Sequence, residues 1–130
     1  MSAPPRPWRK QLGARAHRQG HRAEWIAAAL LMLKGYQILG FRLKTGGAEI
    51  DVLARKGRAL VLVEVKRRAT PEAGLEALGP DQRQRLLQAG QALIQSRRDF
   101  AGLDLRLDLF AFSPGRLPRH FRQLDTGITP

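Results

Sequence analysis

The stretch from Arg58 to Arg67, RALVLVEVKR, constrains this chain more than any other. Read as an extended strand, it puts Leu60, Leu62, Glu64 and Lys66 on one face and Val61, Val63 and Val65 on the other, because strand side chains alternate. Both faces begin apolar, which marks a central strand covered by other layers on each side. Such a strand needs neighbours. AEIDVLAR, Ala48 to Arg55, precedes it across Lys56-Gly57, and YQILGFRL, Tyr36 to Leu43, precedes that across Gly46-Gly47. Short glycine-bearing turns between such runs predict an antiparallel meander.

Helical signals flank the strands. From Ala14 to Lys34 the chain lacks proline and reads as a helix ended by Gly35. Its second half, EWIAAALLML, is apolar on all sides and is expected to be buried around its circumference, which places Glu24 at the edge of the interior. Arg68 to Gly79, with Thr70-Pro71 and Gly74, is expected to be a loop. Pro80 at a first helical position and Asp81 in the first turn open a second helix that buries Leu86, Gly90, Leu93 and Ile94 and ends near Arg97-Arg98. LDLRLDLFAF then alternates as a fourth strand, Ser113 to Pro118 turns, and HFRQL forms a short edge strand. The expected fold is α/β: one domain over residues 14–125, with a loose arm at 1–13 carrying Pro4, Pro5 and Pro7, and a frayed tail at 126–130.

Composition enters through charge. Lysine and arginine number 23 against 11 aspartates and glutamates, a formal net charge of +12. A cation excess of this size implies a polyanionic partner, nucleic acid before an acidic membrane surface, because neutralised phosphates release counterions. The chain has no cysteine, which excludes disulfides, thiolate metal sites and a cysteine nucleophile, and agrees with a reducing, cytoplasmic setting. The longest apolar run, Trp25 to Leu33, is far short of the roughly 18 to 20 residues needed to span a bilayer. The Arg-rich start has the composition of an organellar presequence, but the helix after it reads as part of the fold, so a basic arm is the better reading.

Chemistry concentrates in GGAEIDVLARKGRALVLVEVKRR. A hairpin brings Glu49 and Asp51 of one strand beside Glu64 and Lys66 of the next, so carboxylates meet next to an amine at a sheet surface. Crowded carboxylates call for a neutralising cation, and oxygen donors favour Mg²⁺ or Mn²⁺ over Zn²⁺. Metal-assisted phosphodiester hydrolysis uses such an arrangement, with carboxylates fixing the ion and a lysine orienting water or offsetting charge on phosphorus. The plain alternative is a cross-strand or solvated charge pair, against which stands the position of Glu64 and Lys66 at the end of the most apolar strand. Glu49 is equally well explained by an ion pair with Arg42 or Lys44.

Asp51 followed by Glu64-Val65-Lys66, on a helix, three strands, a helix and a strand, resembles the PD-(D/E)XK nuclease superfamily with its restriction-endonuclease-like fold, a mixed sheet flanked by helices in an α-β-β-β-α-β core. More closely, Gly20 and Glu24, then GYQILGFR, AEIDVLA and LVLVEVKRR, resemble the YraN family of bacterial proteins, which are similar to archaeal Holliday junction resolvases. The resemblance runs from about Gly20 to Ala111. It implies a Mg²⁺- or Mn²⁺-dependent endonuclease on structured or branched DNA, with Asp51, Glu64 and the Val65 carbonyl as metal ligands, Glu24 contributed by the first helix, and Lys66 as the catalytic lysine. It also implies a homodimer, since cutting a junction takes two sites. The non-catalytic alternative is a nucleic-acid-binding module that keeps the fold. For Glu24 a pair with an arginine such as Arg22, or a backbone bond, is the plain reading. The family often has a lysine early in the second helix, where this chain has Gln82 followed by Arg83 and Arg85.

Phosphate-gripping candidates are Arg9, Lys10, Arg18 and Arg22 near the start, Arg67 and Arg68 at the strand exit, and Arg83 and Arg85 on the second helix. Other signals are weaker. His17 and His21 have helical i, i+4 spacing but no third ligand nearby, Ser96 and Ser113 have no adjacent base, and Trp8 stacks on a base or packs on the domain with equal plausibility. Asp108 is most simply a partner for an arginine.

Overall fold

The structure is a computed structural model and describes residues 21–124. The arm at 1–13, the first turns expected from Ala14, and the tail at 126–130 lie outside the described residues, as do Trp8, Arg9, Lys10, His17 and Arg18. Helix α1 (residues 21–33) stops where the sequence places Gly35: the Tyr36 N–H donates to the Leu31 carbonyl and the Gly35 N–H to that of Met32, each at 3.0 Å, with Gly35 at φ 92°. This paired closure satisfies carbonyls that a helix end leaves open, and the buried Tyr36 anchors the exit.

Strands β1 (Gln37–Thr45), β2 (Ala48–Lys56) and β3 (Ala59–Arg67) form the expected antiparallel meander. Thr45 pairs with Ala48 and Lys56 with Ala59, so each connection is a two-residue turn. In the first, Gly46 and Gly47 hold φ of 58° and 81°, the left-handed pair such a hairpin requires. After β3 come α2 (Pro71–Ala77), α3 (Pro80–Ser96), one 3₁₀ turn at Arg98–Phe100, β4 (Asp104–Phe112) and β5 (Arg119–Phe121). β4 runs parallel to β3 and β5 antiparallel to β4, giving one mixed sheet in the order β1-β2-β3-β4-β5.

β3 is therefore the central strand, and each of its faces is covered. Leu60 and Leu62 pack with Leu53, Leu107 and Leu109 beneath Leu86 and Leu93 of α3, while Val61 and Val63 pack with Val52, Ala54 and Phe110 beneath Ala27 and Leu31 of α1. The layers are helix, sheet, helix, and they match the α-β-β-β-α-β core of the restriction-endonuclease-like fold. Among the described residues no helix is long and apolar enough to cross a membrane.

Two expectations are corrected. The segment Arg68 to Gly79 is not all loop: Thr70 accepts the Ala73 N–H at 3.0 Å through its hydroxyl, Pro71 stands in the first turn, Glu72 faces the positive end of the dipole, and these start α2. Nor is α1 buried all round. Ala23, Glu24, Ala27, Ala28 and Leu31 face inward, but Trp25 is 64% exposed and Leu33 84%, with Ile26 and Met32 also open. Small alanines let the buried side sit close to the sheet, leaving the larger side chains outside.

Candidate active site

The ladder between β2 and β3 ends at Val52↔Val63. Continuing that register would set Asp51 opposite Glu64 and Ile50 opposite Val65; instead the strands part, and the Val65 N–H donates to the Asp51 Oδ2 at 2.9 Å. In an extended strand the N–H and C=O of one residue point to the same side. The Val65 carbonyl therefore faces the fork that Asp51 occupies.

Five elements supply the groups at this fork. Glu64 on β3 is 6% exposed; its Oε2 lies 3.4 Å from Lys66 Nζ and accepts from Gln82 Nε2 of α3 at 3.3 Å. Its other oxygen, Oε1, is sealed from solvent and meets no hydrogen-bond donor. Burial and the Asp51 charge push the Glu64 carboxyl up to about 8, against a smaller opposing pull from Lys66. Asp51 is raised by burial and by Glu24, while the Val65 N–H opposes the rise; the two acids are near enough to share a proton. Glu24 of α1, 8% exposed, pairs with Arg42 Nη1 of β1 at 2.7 Å. Its carboxyl is raised by burial, opposed by Arg42 and reinforced by the charge of Glu49.

The sequence-expected residues Glu24, Asp51, Glu64, Val65 and Lys66 thus converge at one fork of the sheet. The arginine that pairs with Glu24 is Arg42, not Arg22, and it is held at φ 47° on β1. Glu49 is exposed and sits across from Lys44. Among the described residues, no three His, Asp or Glu side chains are arranged to hold a metal ion. Gln82 is the member that residue chemistry undervalued. The signal was available as the position of a family lysine, and the structure gives it a bond to Glu64.

The basic candidates divide. Arg67 and Arg68 are exposed directly after the acidic fork, beside an open cleft lined also by Phe112, Ser113 and Pro114 at the ends of β3 and β4. Arg22 and Arg85 are exposed on their helices. Arg83 instead spends its Nε on the Leu78 carbonyl at 2.8 Å, tying α2 to α3. His21 is half-buried on α1. The Ser113 hydroxyl is buried and without a hydrogen-bond partner.

Asp108 has the arginine partner expected of it, within a larger network on the α1 face. Arg106 donates to both its oxygens, at 3.1 and 2.9 Å; His120 Nε2 lies 2.8 Å away and the Gln123 N–H donates at 2.9 Å. Tyr36 joins through Arg106 and, at 3.4 Å, through Asp108 itself. Burial alone would raise this acid, but His120, Arg106 and the Gln123 N–H overcome it and hold the carboxyl at about 2. A carboxylate so fully bonded fastens β4, β5 and the exit of α1 together.

A five-stranded mixed sheet flanked by helices, opening between half-buried Asp51 and buried Glu64, has the α-β-β-β-α-β core of the restriction-endonuclease-like fold. A family model described as Uncharacterised protein family UPF0102 matches residues 23–112. The chain belongs to that family, which is YraN-like. It is 52% identical over 112 residues to a UPF0102 protein of Caulobacter vibrioides strain NA1000 / CB15N, covering 86% of this chain and 90% of the relative. Identity is 49% over 108 residues to a UPF0102 protein of Parvibaculum lavamentivorans, covering 83% and 81%. With UPF0102 protein Atu0303 of Agrobacterium fabrum it is 43% over 107 residues, covering 82% and 88%.

Proposed function

We propose that this protein is a Mg²⁺- or Mn²⁺-dependent endonuclease that hydrolyses phosphodiester bonds of structured or branched DNA. The observation that carries the reading is the Glu64 carboxyl: buried, pressed against a second acid, and with one oxygen that no donor satisfies. Lost hydration of that kind is expensive unless something positive restores it. A divalent cation fits the donors present, Asp51, Glu64 and the Val65 carbonyl, since all are hard oxygens. Glu24 would join them on release from Arg42.

When bound, such an ion would supply Lewis acidity toward a phosphoryl oxygen and acidify water. This chain's own residues do the rest. Lys66 Nζ orients the attacking water and offsets charge developing on phosphorus. Gln82 holds the Glu64 carboxyl in its rotamer. Arg67, Arg68, Arg22 and Arg85 grip backbone phosphates, a duty that the +12 charge favours at long range. Cutting both arms of a junction would further call for a homodimer.

The deciding experiment is a cleavage panel of branched, single-stranded and duplex DNA, with and without Mg²⁺. Alanine at Asp51 or Glu64 is expected to abolish cleavage while leaving binding intact; undiminished Mg²⁺-dependent cleavage by the pure double variant refutes the proposal. One observation favours a second reading, a nucleic-acid-binding module without hydrolysis: Glu24, the carboxylate that would join Asp51 and Glu64, is already paired with Arg42. Calorimetry separates the two, because Mn²⁺ binding that vanishes in Asp51→Ala belongs only to the first.

A further inference from the structure

The exposed face of α1 bears an aromatic group that the acidic fork does not use. Trp25 follows Glu24, and Phe41 precedes Arg42, so two consecutive residues of α1 meet two consecutive residues of β1. One contact is the Glu24–Arg42 ion pair. The other is a stack of the Trp25 and Phe41 rings, centroids 5.5 Å apart and planes within 16°. The indole is nonetheless 64% exposed, which is unusual for the largest side chain. A ring with one face braced and the rest open has already lost its rotational freedom, so a further ring stacks on it at small entropic cost.

We propose that Trp25 is a stacking shelf for an unpaired base of a single-stranded or branched nucleic acid whose backbone crosses the acidic fork. The inference rests on the nucleic-acid partner proposed above and adds what selects the unpaired form. Three observations point to that occupant. Bases bring π-faces that match the indole, and the phosphates attached to them bring negative charge that a +12 protein attracts. Arg22, exposed three residues before Trp25, lies on the same side of α1 within reach of the attached phosphate. Glu24, the neighbour of Trp25, is close enough to Asp51 for their charges to interact, which puts the shelf beside the cleavage centre. Met32 and Leu33 lie two turns further along α1 and are no part of this shelf.

The test uses the full chain in EDTA, so that binding is read without cleavage. The chain holds two tryptophans, Trp8 and Trp25, so in Trp8→Phe the emission comes from Trp25 alone. Oligothymidylate is expected to quench that emission. Trp25→Ala is expected to weaken oligothymidylate binding about 5-fold or more, with Trp25→Phe restoring much of it and affinity for a hairpin duplex of equal length unchanged. No quenching, an equal loss on duplex and single strand, or a change in self-association of Trp25→Ala by sedimentation would each overturn the shelf; the last would make the face a contact between copies. The Asp51→Ala cleavage assay is independent, so a failed shelf with surviving metal-dependent cleavage leaves the nuclease reading standing, and quenching without cleavage leaves the shelf without the nuclease.

Discussion

Replacing Glu64 with glutamine removes a charge that burial and Asp51 both oppose, while keeping the side chain's shape. The carboxyl is held at about 8 instead of 4.5. At about 1.36 kcal/mol per pH unit, the upper bound on the strain is ~5 kcal/mol. Proton sharing with Asp51 and relaxation around the fork reduce it, and about 2–3 kcal/mol is the reasonable expectation. The sign follows from proton counts. Between about pH 4.5 and 8 the folded metal-free protein holds a proton on Glu64 that the unfolded chain has lost, so stability is full below 4.5 and falls as pH rises through 8. Urea unfolding in EDTA should therefore show Glu64→Gln more stable than wild type by ~2–3 kcal/mol at pH 9, with the gap closing near pH 4.5. Added Mg²⁺ should reverse the ranking, because only wild type gains from binding. A wild-type stability that stays level or climbs between pH 5 and 8.5 in EDTA, with no gain in the glutamine variant, would refute the account of this carboxyl.

Other outcomes follow from the same geometry. Asp108→Asn strands a largely enclosed Arg106 and loosens His120, and should cost about 3 kcal/mol in urea unfolding. With Asp108 held at about 2, its contribution is present above pH 4 and is lost as pH falls through 2, readable by acid titration of near-ultraviolet dichroism. Gly46→Ala forces φ 58° on a residue with a Cβ and drives that atom to 3.0 Å from the Ala89 Cα of α3; a loss of roughly 1–3 kcal/mol is expected in thermal melts. Gln82→Leu should keep the fold but lower single-turnover cleavage roughly tenfold or more, by freeing the Glu64 carboxyl to turn. Alanine at both Arg67 and Arg68 should weaken DNA binding at all sequences and lower the slope of log affinity against log salt by about 1 to 2.

The sheet was largely legible because its signals are local. Alternation in Ala48 to Arg67 and the glycine turns fixed three strands and their pairing, and the faces of β3 sort as the pattern demands. The acids of the fork were legible for the same reason, since Asp51, Glu64 and Lys66 are strand residues of known parity. What escaped depends on contacts far apart in sequence. Arg42 reaches Glu24 over 18 residues, Gln82 reaches Glu64 over 18, and Asp108 gathers Tyr36 from 72 residues away. The exposure of Trp25 and Leu33 escaped because an all-apolar helix has no polar stripe to mark its outer side, and only packing decides which side the small alanines take. α2 differs, because Thr70-Pro71, which with Gly74 marks a loop, equally caps and opens a helix, and only the following residues' packing decides between the two.

The early end of the β2–β3 ladder means that the acidic fork and the sheet compete for the same backbone. One more rung, Ile50 against Val65, would zip the strands closed, return the Val65 N–H to a main-chain partner, and turn its carbonyl into an ordinary ladder acceptor. Asp51 works as the wedge that stops the zipper, so a change that removes its carboxylate can empty the fork twice over, by losing the acceptor of the Val65 N–H and by letting the sheet heal across the gap.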